Sequence, residues 1–204
     1  LVAASVGPYG AYLADGSEYT GIYNLDEAGL LSWHRPRWEI LAQSGADLLA
    51  CETIPALAEA KALRQLLLET PNMPAWMSFA CQDGSRISDG TPLADCVRLL
   101  NDLPNLVAVG INCTPPRFLP DLITAVQAST DKLIIVYPNS GEQFDPETKT
   151  WLRQSDPSEF GTFSREWRKL GAQLVGGCCR TRPAHIQQIR DRTRPMLDDA
   201  GYGN

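Results

Sequence analysis

Six short apolar runs, separated by longer stretches with helical spacing, constrain this chain more than any other feature. The runs cover residues 2–6, 47–51, 75–80, 106–111, 133–137 and 173–175. A strand with one wet face alternates apolar and polar residues, whereas a strand covered on both faces reads as a continuous apolar run. These six read as the second kind. The stretches between them repeat apolar residues every three or four positions. In 55–69, Leu57, Ala60, Leu63 and Leu67 share one face, and Pro55 suits the first turn of a helix. Residues 26–44 show the same spacing, interrupted near Pro36. Thr91 as N-cap and Pro92 at the first helical position open a third helix that runs to about Asn101. Further helices are expected over 120–129, over 158–170 with Phe163, Trp167 and Leu170 on one face, and over 183–194 capped by Thr181.

Alternating strand and helix predicts a parallel sheet with helices outside it. Six strands fit an open doubly wound sheet, and they equally fit six-eighths of a barrel. No GxGxxG follows a strand, which weakens the nucleotide-binding form of the open sheet. The chain has 204 residues, 44 % of them hydrophobic, enough for one core, so residues 1–204 read as a single domain. Its net charge is −6 with both signs interspersed, and no basic stripe is present to neutralise a phosphate backbone. Nucleic acid is therefore excluded as an expected partner. No apolar run approaches the roughly 20 residues needed to cross a bilayer, so no membrane partner is expected. Residues 1–6 lack a basic leader and read as a strand that starts abruptly, not as a signal peptide. The six cysteines mostly end strand-like runs, and two are adjacent, which predicts thiols in a reducing, cytoplasmic compartment. Residues 137–157 are polar and aromatic-rich and read as an ordered functional loop.

Parallel α/β architectures bind ligands at the carboxyl ends of their strands. Cys113, Cys178 and Cys179 all fall at such ends. Three thiolates brought to one rim form a Cys₃ set for zinc with a fourth position open, the arrangement of a catalytic site. Gly176 and Gly177 remove side chains just before the pair, freeing both cysteines to turn toward one metal. Cysteine is also among the most buried residue types, and the spacing is no local zinc-ribbon pattern. On the residues alone, metal ligand and packed thiol both stand. Glu52 follows a buried run, where a carboxylate is costly unless it is paired or faces a ligand. It reads as a partner for a substrate ammonium or as half of a salt bridge. Asn112 orients a ligand or caps a turn. Tyr9, Tyr12, Tyr19 and Tyr23 line a mouth or cover a core. His34 and His185 read as structural, Cys51 and Cys81 as packed thiols, and Cys96 as a helical core residue.

Five segments occur in order: Ser-Val-Gly-Pro-Tyr-Gly from Ser5, Cys-Glu-Thr from Cys51, Gly-Ile-Asn-Cys from Gly110, Tyr-Pro-Asn-Ser-Gly-Glu from Tyr137, and Gly-Gly-Cys-Cys-Arg-Thr from Gly176. This series resembles the homocysteine S-methyltransferases that use S-methylmethionine or S-adenosylmethionine. That family is grouped with betaine–homocysteine methyltransferase and the homocysteine domain of cobalamin-dependent methionine synthase. The resemblance implies a (β/α)8 TIM barrel whose catalytic zinc is held by Cys113, Cys178 and Cys179. It implies that Glu52 grips the amino group of homocysteine and that Asn112 orients the substrate or the metal shell. The family opens with an Asp-Gly-Gly strand that this sequence lacks. By analogy the chain begins at the third strand, without the first two β/α units. The implied reaction is methyl transfer from a sulfonium donor to the homocysteine thiol, forming methionine. Two rivals stand beside it: a zinc-binding or thiol-redox barrel fragment without turnover, and an enzyme that takes its methyl from betaine or a folate.

Overall fold

The computed structural model describes residues 1–141, 143–145, 150–152 and 156–199. In chain order the elements are β1 (Ala3–Val6), α1 (Tyr9–Leu13), a 3-10 turn (Ser17–Tyr19), α2 (Glu27–Ala42), β2 (Leu48–Ile54), α3 (Leu57–Glu69), β3 (Ala75–Phe79), α4 (Leu93–Leu99), β4 (Leu106–Asn112) and a second 3-10 turn (Pro116–Phe118). There follow α5 (Leu119–Gln127), β5 (Leu133–Tyr137), a hairpin of β6 (Gln143–Asp145) and β7 (Thr150–Leu152), α6 (Pro157–Lys169), β8 (Leu174–Val175) and α7 (Pro183–Asp199). All six expected strands form. Among the described residues, no helix is long and apolar enough to cross a membrane. The expected loop over 137–157 lies partly outside the described residues.

The strand order of the main sheet decides between the two architectures that the sequence leaves open. It is β1-β2-β3-β4-β5-β8, every pair parallel. Each strand lies beside its predecessor and the order never reverses, whereas a doubly wound sheet reverses at a switch point. Right-handed crossovers in one direction put every helix on the same face. The fold is therefore α/β, with six parallel strands in the sequential order of a (β/α)8 barrel.

The apolar core occupies the layer between sheet and helices. Leu49 and Cys51 of β2, Met77 and Phe79 of β3, Val109 and Ile111 of β4, and Ile134 and Val136 of β5 face it, with Leu63, Leu66, Leu67, Val97, Leu122 and Val126 opposite. Period-two alternation sends the intervening residues to the other, inner face. These include Glu52, Trp76, Ser78, Asn112 and Tyr137, so the inner face is polar toward the carboxyl ends. Gly110 also points inward. A Cβ there would lie 1.7 Å from the Ile135 carbonyl oxygen, so only glycine lets β4 and β5 approach this closely.

Helix boundaries depart from expectation in instructive ways. Helix α2 runs unbroken through Pro36, with Asp26 as its N-cap accepting from the Gly29 N–H at 2.9 Å. An internal proline costs about 3 kcal/mol. Burying Leu30 and Trp38, both essentially inaccessible, returns roughly 1.5–3 kcal/mol each and outweighs it. Helix α3 starts two residues after Pro55, and its Leu57 N–H is taken by Asp89 Oδ2 at 2.7 Å, a cap from a distant loop. In α4 Pro92 is the N-cap, one residue later than the expected Thr91. The Thr181 hydroxyl does not cap α7. It donates to the Cys178 carbonyl at 2.7 Å, while His185 Nδ1 accepts the Arg182 N–H at 3.0 Å and closes the first turn.

Candidate functional site

Cys113 leaves the end of β4 with φ 50°, in the left-handed region. Cys178 and Cys179 follow β8. The exit of β5 straps these two ends together through backbone bonds. Cys113 N–H donates to the Tyr137 carbonyl at 3.3 Å, Asn139 N–H to Thr114 at 3.1 Å, Cys178 N–H to Pro138 at 2.8 Å, and Ser140 N–H to Cys179 at 3.0 Å. The result is a compact sulfur triangle. Cys113 Sγ lies 3.4 Å from Cys179 Sγ and 3.3 Å from Cys178 Sγ, and the adjacent pair are 4.0 Å apart. Among the described residues this is the one set of three side chains placed to share a metal ion. Gly177 contributes differently from expectation. A Cβ there would meet the Thr181 side chain at 2.6 Å, so its bareness makes room for the threonine that ties down the Cys178 carbonyl.

The three thiols influence one another's ionisation. Hydrogen bonding to Cys178 and Cys179, together with burial, raises the Cys113 thiol far above its ordinary range. Hydrogen bonds from Cys113 and Cys178 pull Cys179 down to about 3. Cys178 is lowered by its bond to Cys113, but the neighbouring Cys179 and burial leave it raised. The three thiols thus resist ionising together, and Cys179 is the one favoured as thiolate. A divalent cation removes the mutual repulsion and permits all three to ionise. Ligands about 2.3 Å from a tetrahedral zinc stand about 3.8 Å apart. The three sulfur separations straddle that value, and the donor set fits the ion.

Glu52 and Asn112 share the inner face, and Asn112 reaches the triangle at Cys178. Glu52 Oε1 accepts from Ser5 Oγ at 2.6 Å, and Oε2 from the Tyr137 hydroxyl at 3.1 Å. Among the described residues no cation pairs with it, so the salt-bridge alternative has no partner there. Asn112 is fully buried and spans three strand ends. Its Oδ1 accepts from Thr53 N–H at 2.7 Å and lies 2.9 Å from Ser78 Oγ. Its Nδ2 donates to Thr53 Oγ1 at 2.7 Å and approaches Cys178 Sγ at 4.0 Å. Asn112 is therefore a bracing residue within the sheet rather than the cap of a turn. Thr53 has φ 63° at a register shift of β2, a strained setting for a β-branched residue.

The remaining candidates separate clearly. Cys51, Cys81 and Cys96 belong to the apolar core, and burial pushes the Cys96 thiol up to about 12. His34 is fully buried against Glu59 at 2.7 Å, and His185 packs edge-on against Phe160. Tyr9, Tyr12 and Trp33 cluster together, with Tyr23 edge-on to Tyr9. Tyr19 alone of the four tyrosines reaches the sulfurs. Burial, then the neighbouring Cys113 and Cys179, raise its hydroxyl. Ser5, Thr53 and Tyr137 fall within segments that carry the family resemblance but have no role assigned to them there, while Trp76 and Ser78 fall outside those segments.

This assembly places three strand-end cysteines on a parallel α/β scaffold where they could share a metal ion. A homocysteine S-methyltransferase family model matches residues 1–193, and the chain belongs to that family. It is 56 % identical over 196 residues to the homocysteine S-methyltransferase YbgG of Bacillus subtilis, covering 96 % of this chain and 62 % of that protein. It is 46 % identical over 197 residues to a selenocysteine Se-methyltransferase of Brassica oleracea, covering 94 % and 57 %. The metallated form of the homocysteine methyltransferase MmuM from Escherichia coli superposes with a TM-score of 0.82 at 44 % identity, covering 94 % of this chain and 61 % of that structure. The chain thus spans about three-fifths of the length of these relatives.

Proposed function

We propose that this protein catalyses zinc-dependent methyl transfer from a sulfonium donor, S-methylmethionine or S-adenosylmethionine, to the thiol of homocysteine in the cytoplasm, forming methionine. The observation that carries the reading is the sulfur triangle of Cys113, Cys178 and Cys179 at 3.3–4.0 Å, together with an inner-face carboxylate with no cationic partner among the described residues. The three cysteines would hold zinc, which when bound supplies the Lewis acidity that makes the homocysteine thiol a thiolate nucleophile at neutral pH. Three anionic ligands limit the positive charge drawn from the substrate sulfur and preserve its nucleophilicity. Glu52, held by Ser5 and Tyr137, is oriented to accept the substrate ammonium. Asn112 holds Thr53 and the Cys178 side of the triangle in register, acting through the scaffold. The sulfonium leaves as a neutral sulfide, so no general acid is assigned. The rate then depends on placing both sulfurs in line with the methyl carbon. The test is methionine formation from homocysteine and S-methylmethionine by protein stripped of metal and by protein reloaded with zinc. Activity restored by zinc supports the reading. Equal activity in both samples, or in neither, contradicts it.

A further inference from the structure

Glu52 and Asn112 are joined by two hydroxyl groups to which the proposed reaction gives no chemical step. The Tyr137 hydroxyl lies 3.1 Å from Glu52 Oε2 and 2.5 Å from Ser78 Oγ, and Ser78 Oγ lies 2.9 Å from Asn112 Oδ1. Trp76 Nε1 donates to the Tyr137 oxygen at 2.9 Å, and that direction is fixed because an indole nitrogen only donates. Tyr137 and Ser78 bring one hydroxyl proton each. Three places compete for those two protons: Glu52 Oε2, the Tyr137–Ser78 contact and Asn112 Oδ1. Ser78 and Asn112 are fully buried, which shields that end of the chain from bulk water.

Only two arrangements put a proton in the short Tyr137–Ser78 contact. In the first, Tyr137 donates to Glu52, Ser78 donates to Tyr137, and Asn112 Oδ1 keeps the Thr53 N–H alone. In the second, Tyr137 donates to Ser78, Ser78 donates to Asn112, and Glu52 Oε2 is left to another donor. A free carboxylate favours the first, because a hydrogen bond to a charged acceptor is the stronger one. An ammonium bound at Glu52 brings its own donors and releases the second.

We propose that Tyr137 and Ser78 are positioning residues that transmit occupancy of Glu52 to Asn112, so that binding of the substrate amino group reverses the hydroxyl chain and fixes the amide beside Cys178. The proposal rests on the reading that Glu52 takes the ammonium of homocysteine. It makes the amino group contribute to the transfer step and not to binding alone.

The experiment compares homocysteine with 4-sulfanylbutanoic acid, the same thiol without its amino group, using zinc-loaded protein and S-methylmethionine. Ser78→Ala, which removes the donor to Asn112, is expected to lower kcat for homocysteine about fivefold, the loss of one neutral hydrogen bond, whereas Tyr137→Phe leaves Ser78 with Asn112 as its acceptor and is expected to raise kcat for the deaminated thiol toward that for homocysteine. Ser78→Ala should leave kcat for the deaminated thiol within about twofold, and both variants should leave zinc content unchanged. The double variant should behave as Ser78→Ala does, because without Ser78 no hydroxyl is left to donate to Asn112. Equal losses on both thiols in Ser78→Ala, no gain on the deaminated thiol in Tyr137→Phe, or loss of zinc would overturn the proposal. Ser78→Ala, which removes one buried oxygen, decides the matter if Tyr137→Phe does not fold. Failure of the underlying reading looks different: the unsubstituted protein would then methylate neither thiol, or both with equal kcat/KM.

Discussion

The side-chain amide of Asn112 grips Thr53 at both ends, its Oδ1 on the Thr53 N–H and its Nδ2 on Thr53 Oγ1, each at 2.7 Å. Thr53 holds φ 63°, a setting that costs a β-branched residue roughly 1–3 kcal/mol. Asn112→Ala removes the brace and leaves the Thr53 N–H without its partner. We predict a loss of about 2–4 kcal/mol in stability, measured as a lowered denaturant midpoint. A loss below about 1 kcal/mol would show that the bulge of β2 holds itself.

Glu52→Gln keeps the size of the side chain and one acceptor oxygen for its neighbours Ser5 and Tyr137. It removes the charge that would face an ammonium. The variant should keep its zinc and its melting temperature while KM for homocysteine rises by about tenfold or more, the scale of one charged hydrogen bond. Elemental analysis beside steady-state kinetics checks this. A variant with unchanged KM and lost zinc would move Glu52 from the substrate to the metal.

Zinc binding should release about two protons from the cluster and not three. Hydrogen bonds from Cys113 and Cys178 lower Cys179 to about 3, so its thiol is already ionised at neutral pH. Cys113 and Cys178 are raised and still protonated there. The sign follows: acid returns protons to two ligands and weakens metal binding, while alkaline pH strengthens it. Titration calorimetry in buffers of different ionisation enthalpy counts the protons directly. A count of about three, or of none, contradicts the unequal triangle.

Strands were the most legible feature of the sequence, because continuous apolar runs such as 106–111 leave few alternatives. Their lateral order was not legible, since sequential and reversed orders bury the same residues. Helix ends were displaced where a partner distant in sequence supplies the cap, as Asp89 does for α3. The course of α2 through Pro36 was hidden because the burial of Trp38 outweighs the local rule. At the site, cysteine and glutamate announced themselves by residue type and by position after strands. Ser78 did not, because an isolated hydroxyl residue in a strand carries no pattern until register places it beside Asn112, and Ser5 and Tyr137 stood inside the family segments without a role until the fold set them against Glu52. Thr53 was hidden for another reason, since its role rests on a positive φ that no propensity suggests.

The central claim, that Cys113, Cys178 and Cys179 together hold a catalytic zinc, is tested most directly by metal content and methionine formation measured side by side in single alanine variants. Each of the three substitutions should abolish transfer from S-methylmethionine to homocysteine and sharply lower bound zinc, because two thiolates cannot hold an open site as three do. Cys96→Ala, a change in the apolar core, should cost only about 1 kcal/mol of stability and leave zinc and turnover intact. Cys178 and Cys179 variants that keep full zinc and near-normal turnover would contradict the account.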